Sequence, residues 1–115
     1  MEEILNRRDI IIVSFPYPDQ TGSKQRPALV LSSDEFNRSS YDVIICGITC
    51  YDDGDPNLIA IKKEDWANGL WSESYANPAY LASMDKRLVI KRIGRLRPEK
   101  HAEVKERLGK LLGIM

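Results

Sequence analysis

Short β-branched runs, each cut off by proline or glycine, constrain this chain more than any other feature. Residues 9–17 carry Ile10, Ile11, Ile12, Val13 and Phe15, and Pro16 and Pro18 end the run. Branching at Cβ narrows χ1 and suits a pleated surface, so such a run reads as a strand. Proline has no N–H for the ladder, so the strand stops there. Residues 27–31, 41–50, 58–61 and 80–84 repeat the pattern. Residues 41–50 are apolar almost without alternation, which predicts burial on both faces. Residues 88–93 fit either a sixth short strand or a helical turn before Gly94. The polar stretch 19–25 around Gly22 reads as a loop, and 34–40 as a turn or helical stub. Residues 66–79 mix aromatics with Gly69, Asn77 and Pro78 and take no assignment.

The C-terminus is helical instead. Pro98 suits a first helical position and Glu99 favours the positive end of the dipole. Val104, Leu108, Leu111 and Leu112 recur at helical spacing and predict one apolar stripe. Arg97 stands where an N-cap residue belongs, and Gly113 marks the stop. The expected fold is mainly β with a C-terminal helix, the sheet being strongly curved or an open barrel.

A chain of 115 residues is read as one domain, residues 1–115. Its apolar runs are too short for a membrane helix, and the acidic start Met1-Glu2-Glu3 has no signal-peptide core, so the expected location is the cytoplasm. Formal net charge is zero, which argues against a protein that coats nucleic acid by bulk charge. The charge is uneven. Lys86, Arg87, Lys91, Arg92, Arg95 and Arg97 fall together with no acid among them, while Asp52, Asp53 and Asp55 share one loop. The basic cluster is either a footprint for a polyanion or a solvated face. Cys46 and Cys50 are read as two buried thiols. With His101 the only histidine and no zinc-spaced cysteine pair, no metal and no cofactor is expected.

The order of segments resembles the MazF/PemK toxins. Arg8-Asp9, the strand behind it and Phe15-Pro16 resemble that family's opening, followed by a polar loop and then Arg26-Pro27-Ala28-Leu29-Val30-Leu31-Ser32. Ile48-Thr49, Ser74-Tyr75, Met84-Asp85 and Ile93-Gly94-Arg95-Leu96 continue the likeness, and the final helix fits. The resemblance spans nearly the whole chain, with its most specific part in the first half. It implies an SH3-like small β-barrel, shared with the CcdB toxins, and usually a symmetric homodimer. It also implies sequence-specific cleavage of single-stranded RNA, without metal, and a cognate antitoxin whose disordered tail blocks the RNA groove.

Metal-free RNA cleavage begins with a 2′-hydroxyl attacking its own phosphate. It needs a base, an acid and positive charge on the phosphorane. Arg26 matches the family's catalytic arginine, and its planar fork suits charge stabilisation better than proton donation. Thr49 matches the family's threonine at the scissile phosphate. Ser23, Lys24 and Gln25 occupy the family's RNA-closing loop; Tyr17 is a stacking candidate and Arg87 a charge candidate for RNA binding. Relatives often carry an arginine where this chain has Asn77 and an aspartate where it has Ala79. Three readings therefore stand: a ribonuclease relying on Arg26 and Thr49, a weakened or non-cleaving RNA binder, and a gyrase inhibitor of the CcdB type. The end Leu112-Gly113-Ile114-Met115 lacks the aromatic–charged tail that the last requires.

Overall fold

The computed structural model describes residues 4–16, 22–69 and 73–114. Strands β1 (Asp9–Pro16), β2 (Ser23–Val30), β3 (Asp42–Thr49), β4 (Ile59–Ile61), β5 (Trp66–Gly69), β6 (Ser74–Asp85) and β7 (Val89–Leu96) form one antiparallel sheet, in the order β4-β6-β3-β2-β1-β7-β5. Helix α1 (Asp34–Ser39) joins β2 to β3, and α2 (Pro98–Leu112) follows β7. The two edge strands are chain neighbours, separated only by Lys62 and the 3₁₀ turn Lys63–Asp65. So short a connection draws the edges together, and the sheet curls into a nearly closed barrel.

Both faces of this sheet bury apolar side chains. Ile10, Leu29, Cys46, Ile48, Ile61, Trp66 and Leu96 meet inside the barrel, where Val104 of α2 joins them. Ile11, Val13, Ala28, Val30, Val43, Ile45 and Val89 form a second cluster on the other face. Adjacent residues of β1, β2 and β3 thus go to opposite clusters, which accounts for the unbroken apolar runs. Each fully buried Ile or Leu contributes about 1.5–3 kcal/mol by leaving water.

Several local expectations change. Ser23, Lys24 and Gln25 belong to β2 rather than to a loop; the first four residues of that strand are exposed, so no apolar pattern marked them. The unassigned stretch holds β5 and the start of β6; of residues 88–93, Leu88 ends the 3₁₀ turn Lys86–Leu88 and the rest belong to β7. On α2 the buried residues are His101, Val104 and Gly109, while Leu111 and Leu112 are exposed. The predicted stripe therefore packs only through its first half. Gly113 ends α2 in the left-handed conformation, as its position predicts, and Arg97 leaves the N-cap without a side-chain bond. Cys46 is buried and its thiol is pushed up to about 12 by desolvation, but Cys50, one residue past β3, is exposed.

The basic cluster mostly serves the fold. Asp9, 1% exposed, accepts Arg92 Nη1 at 3.1 Å and the Asn6 amide at 2.8 Å, with Arg95 Nε 3.8 Å away. Lys86 Nζ reaches the Asn37 carbonyl, and Arg97 Nε donates to Glu64 O at 2.9 Å. Among the described residues no helix is long and apolar enough to cross a membrane.

Candidate nucleic-acid interface

Strands β2 and β3 carry the two candidate catalytic side chains. Ala28 pairs with Gly47, Leu29 with Cys46 and Val30 with Ile45. The ladder ends at Ala28 and Gly47; two residues beyond it on either strand come Arg26 and Thr49, and both side chains line the same cleft. That cleft lies on the outer face, since Ala28 and Val30 in step with Arg26 belong to the second cluster. Its volume is about 650 Å³, and its walls include Phe15, Lys24, Arg26, Thr49, Tyr51, Asp53, Asn77 and Tyr80.

The chemistry of these groups is specific. Among the described residues no hydrogen bond or ion pair engages the side chain of Arg26 or of Lys24, whose backbones pair with β1, so both cations suit a phosphate. Thr49 Oγ1 accepts the Tyr51 amide at 3.2 Å, which orients the hydroxyl and leaves its proton free to donate. Asp53 is a carboxylate in the same cleft; its Oδ1 accepts the Asp55 amide at 3.0 Å. Asp52 and Asp55 likewise accept the amides of Gly54 and Asn57, so the acidic loop is a run of Asx turns, eased by Gly54 at φ +85°.

Two aromatic side chains of the cleft were missed from sequence: Tyr51 and Tyr80, 73% and 75% exposed. Tyr80 owes its place to a bulge in β6. Cys46 pairs with Leu81 but the next residue, Gly47, pairs with Asn77, so Pro78, Ala79 and Tyr80 loop out of the ladder. A Cβ on Gly47 would lie 3.4 Å from Tyr80 Cβ. The glycine thus lets the root of the tyrosine pack against β3 while its ring stays open to solvent. Pro78 within a strand-like run and Gly47 inside another were the available signals. Asn77, in the place of the family's arginine, is turned to the loop: its Oδ1 accepts the Ala79 amide at 3.1 Å and its Nδ2 lies 3.5 Å from Asp55 Oδ2.

A second, smaller cleft of about 180 Å³ lies beyond Arg26, Pro27, Ile48 and Thr49, which line both. It adds Ile10, Gln25, Cys50, Trp66, Ser74 and Ile93, so every strand except β4 or its immediate flank contributes. This is the open end of the barrel.

The remaining sequence candidates are scattered. Ser23 is exposed at the start of β2 and lines neither cleft, and Gln25 lines only the smaller one. Arg87 is not brought to either cleft: its guanidinium clasps Asp85 through Nε and Nη2 at 2.7–3.1 Å and holds that carboxyl down to about 2. Tyr17 lies outside the described residues. His101 is far from acid–base work. Its Nε2 donates to the Val30 carbonyl at 3.3 Å, and burial, with lesser effects from Arg7, Lys105 and Arg8, lowers its pKa to about 4. Among the described residues no three His, Cys, Asp or Glu side chains cluster as metal ligands would.

A curled seven-stranded sheet with an arginine, a hydroxyl and open aromatic rings in one cleft defines a small, nearly closed β-barrel. The family comparison narrows this. Residues 6–112 match the PemK-like, MazF-like toxins of type II toxin–antitoxin systems, and the chain belongs to that family. No curated protein matches it. Among solved structures it is similar to a chain of the Deinococcus radiodurans MazE–MazF complex, at 23% identity and TM-score 0.84, covering 98% of this chain and 100% of that one. It is also similar to a mycobacterial endoribonuclease in complex with its cognate antitoxin, at 19% identity, TM-score 0.79 and coverage of 96% and 97%. The Mycobacterium tuberculosis toxin MazF-mt6 gives 20% identity, TM-score 0.75 and coverage of 94% and 99%. At such identities these likenesses establish the shared MazF-like barrel.

Proposed function

We propose that this toxin is a metal-independent endoribonuclease that cuts single-stranded RNA at a short motif, working as a single cytoplasmic domain. The observation that carries this reading is the meeting of Arg26 and Thr49 on neighbouring strands, in a cleft that also holds Lys24 and the open rings of Tyr51 and Tyr80. RNA lies along the outer cleft with its scissile phosphate at Arg26. The 2′-oxygen attacks phosphorus, the P–O5′ bond breaks, and the products end in a 2′,3′-cyclic phosphate and a 5′-hydroxyl. Arg26 neutralises the charge that grows on the phosphorane, where a fixed donor stabilises most. Thr49 donates to a non-bridging oxygen, Lys24 holds a neighbouring phosphate, and Tyr80 stacks a base. Asp53 is the carboxylate of this cleft that takes the 2′-hydroxyl proton, and the leaving 5′-oxygen takes its proton from water.

The solved relatives bound to MazE or to a cognate antitoxin support a similar partner here, a small antitoxin laid over the same cleft. A homodimer is the expected assembly. A second reading has one observation in its favour: Asn77 and Ala79 replace the family's arginine and aspartate, which suits a protein that binds RNA without cutting it. Incubation of a long unstructured RNA with the wild type and Arg26→Ala in excess chelator separates the two. Discrete cuts by the wild type alone fit the ribonuclease. RNA bound but intact fits the binder.

A further inference from the structure

We propose that the open end of the barrel is a base-binding subsite that takes one pyrimidine flanking the scissile phosphate; this rests on the ribonuclease reading of the neighbouring cleft. Trp66 and Ser74, both lining that opening, are 8% and 6% exposed, yet Trp66 Nε1 and Ser74 Oγ have no hydrogen-bond partner among the described residues. Buried polar groups are nearly always paired, so two orphans at one small cavity mark a place where a ligand completes the bonding.

The chemistry of the cavity selects that ligand. Trp66 Nε1 only donates, Arg26 only donates, and Ser74 and Thr49 each carry a hydroxyl proton, whereas no carboxylate lines the cavity. It therefore favours carbonyl oxygens and disfavours cations. Gln25 apart, its remaining walls are Ile10, Pro27, Ile48, Cys50 and Ile93, which suit a planar ring. Its volume equals the liquid share of roughly six waters, at ~30 Å³ each, which fits one six-membered ring better than a fused pair. A pyrimidine offers carbonyl acceptors on a ring of that size, and the exposed Gln25 amide complements its remaining edge. Neither orphan atom is open to solvent, so the neighbouring side chains must part as the base enters. Because Arg26 and Thr49 stand on the divide between the two clefts, a strand running from one to the other sets a phosphate on them.

The test compares cleavage of a randomised RNA pool by wild type, Ser74→Ala and Trp66→Phe. Ser74 Oγ has no hydrogen-bond partner among the described residues, so Ser74→Ala should melt like the wild type. The expected result is a wild-type preference for pyrimidine at one nucleotide beside the cut, weakened about three- to tenfold in each variant, with every other position unchanged. Wild-type cutting without that preference, or superimposable profiles for all three, would overturn the subsite while leaving the ribonuclease intact. If the wild type cuts nothing, anisotropy with oligouridylate and oligoadenylate decides. A uridylate preference lost in Ser74→Ala upholds the subsite, and equal binding to both probes overturns it.

Discussion

Single residues decide how the cleft meets RNA and how the fold meets acid. Tyr80 has an open ring and an anchored root, so its contribution is stacking, worth about 1–3 kcal/mol per base. Tyr80→Ala should weaken binding of a non-cleavable oligonucleotide roughly tenfold or more, while Tyr80→Phe stays within about twofold of wild type; equal losses in both would mean the hydroxyl matters instead. His101 offers a pH signature. The folded side chain resists protonation until about pH 4, whereas an unfolded histidine takes its proton near 6.5. The unfolded chain therefore binds more protons between those values. Stability present above pH 6.5 is lost as pH falls toward 4, by at most about 3 kcal/mol. His101→Gln keeps a donor for the Val30 carbonyl and removes the titration, so its denaturant midpoint should fall less over that window. Arg8 sits at φ +80°, tied down by Nη1 to Leu96 O at 2.9 Å. Arg8→Val, β-branched in a left-handed position, should be at least about 1 kcal/mol less stable than Arg8→Gly by chemical denaturation.

At the scale of elements, the pairing of β1 with β7 is clamped by Asp9 between Arg92 and Arg95. Asp9→Asn leaves two arginines, each about one-third exposed, facing a neutral amide and should cost about 1–3 kcal/mol, read from urea melts, with RNA cleavage retained below the new midpoint. The elements legible in sequence were those whose burial is local. Ile10 to Val13, the apolar run of β3 and the Pro98 start of α2 declare themselves through propensity and position. The start of β2 was not legible, because Ser23 to Arg26 are polar and exposed and become a strand only by pairing with β1. The β6 bulge was not legible either, since it is defined by a register jump against β3. The site followed the same rule. Arg26 and Thr49 were recognisable from their motifs, but Tyr51, Tyr80 and Asp53 reach the cleft through loop and bulge geometry that no local pattern reports.

For the whole molecule, a net charge of zero conceals a division of labour. Arg87, Arg92, Arg95 and Arg97 are held by the fold, while the side chains of Lys24 and Arg26 line the cleft with no partner among the described residues. RNA affinity should therefore fall only gently with salt. Two phosphates are neutralised, at a slope of about −0.7 per contact for a single strand, so a slope of about −1.4 is expected from binding at graded ionic strength and one beyond about −5 would mean the basic cluster also engages. The central claim is that the RNA's own 2′-hydroxyl is the nucleophile and that Arg26 and Thr49 hold the phosphate it attacks. The most direct test is an RNA oligonucleotide carrying one 2′-deoxy nucleotide immediately 5′ of a mapped cut. No cleavage at that position, undiminished binding, and cyclic-phosphate ends on the all-ribose control are predicted. Continued cleavage of the deoxy substrate at the same bond would contradict the account.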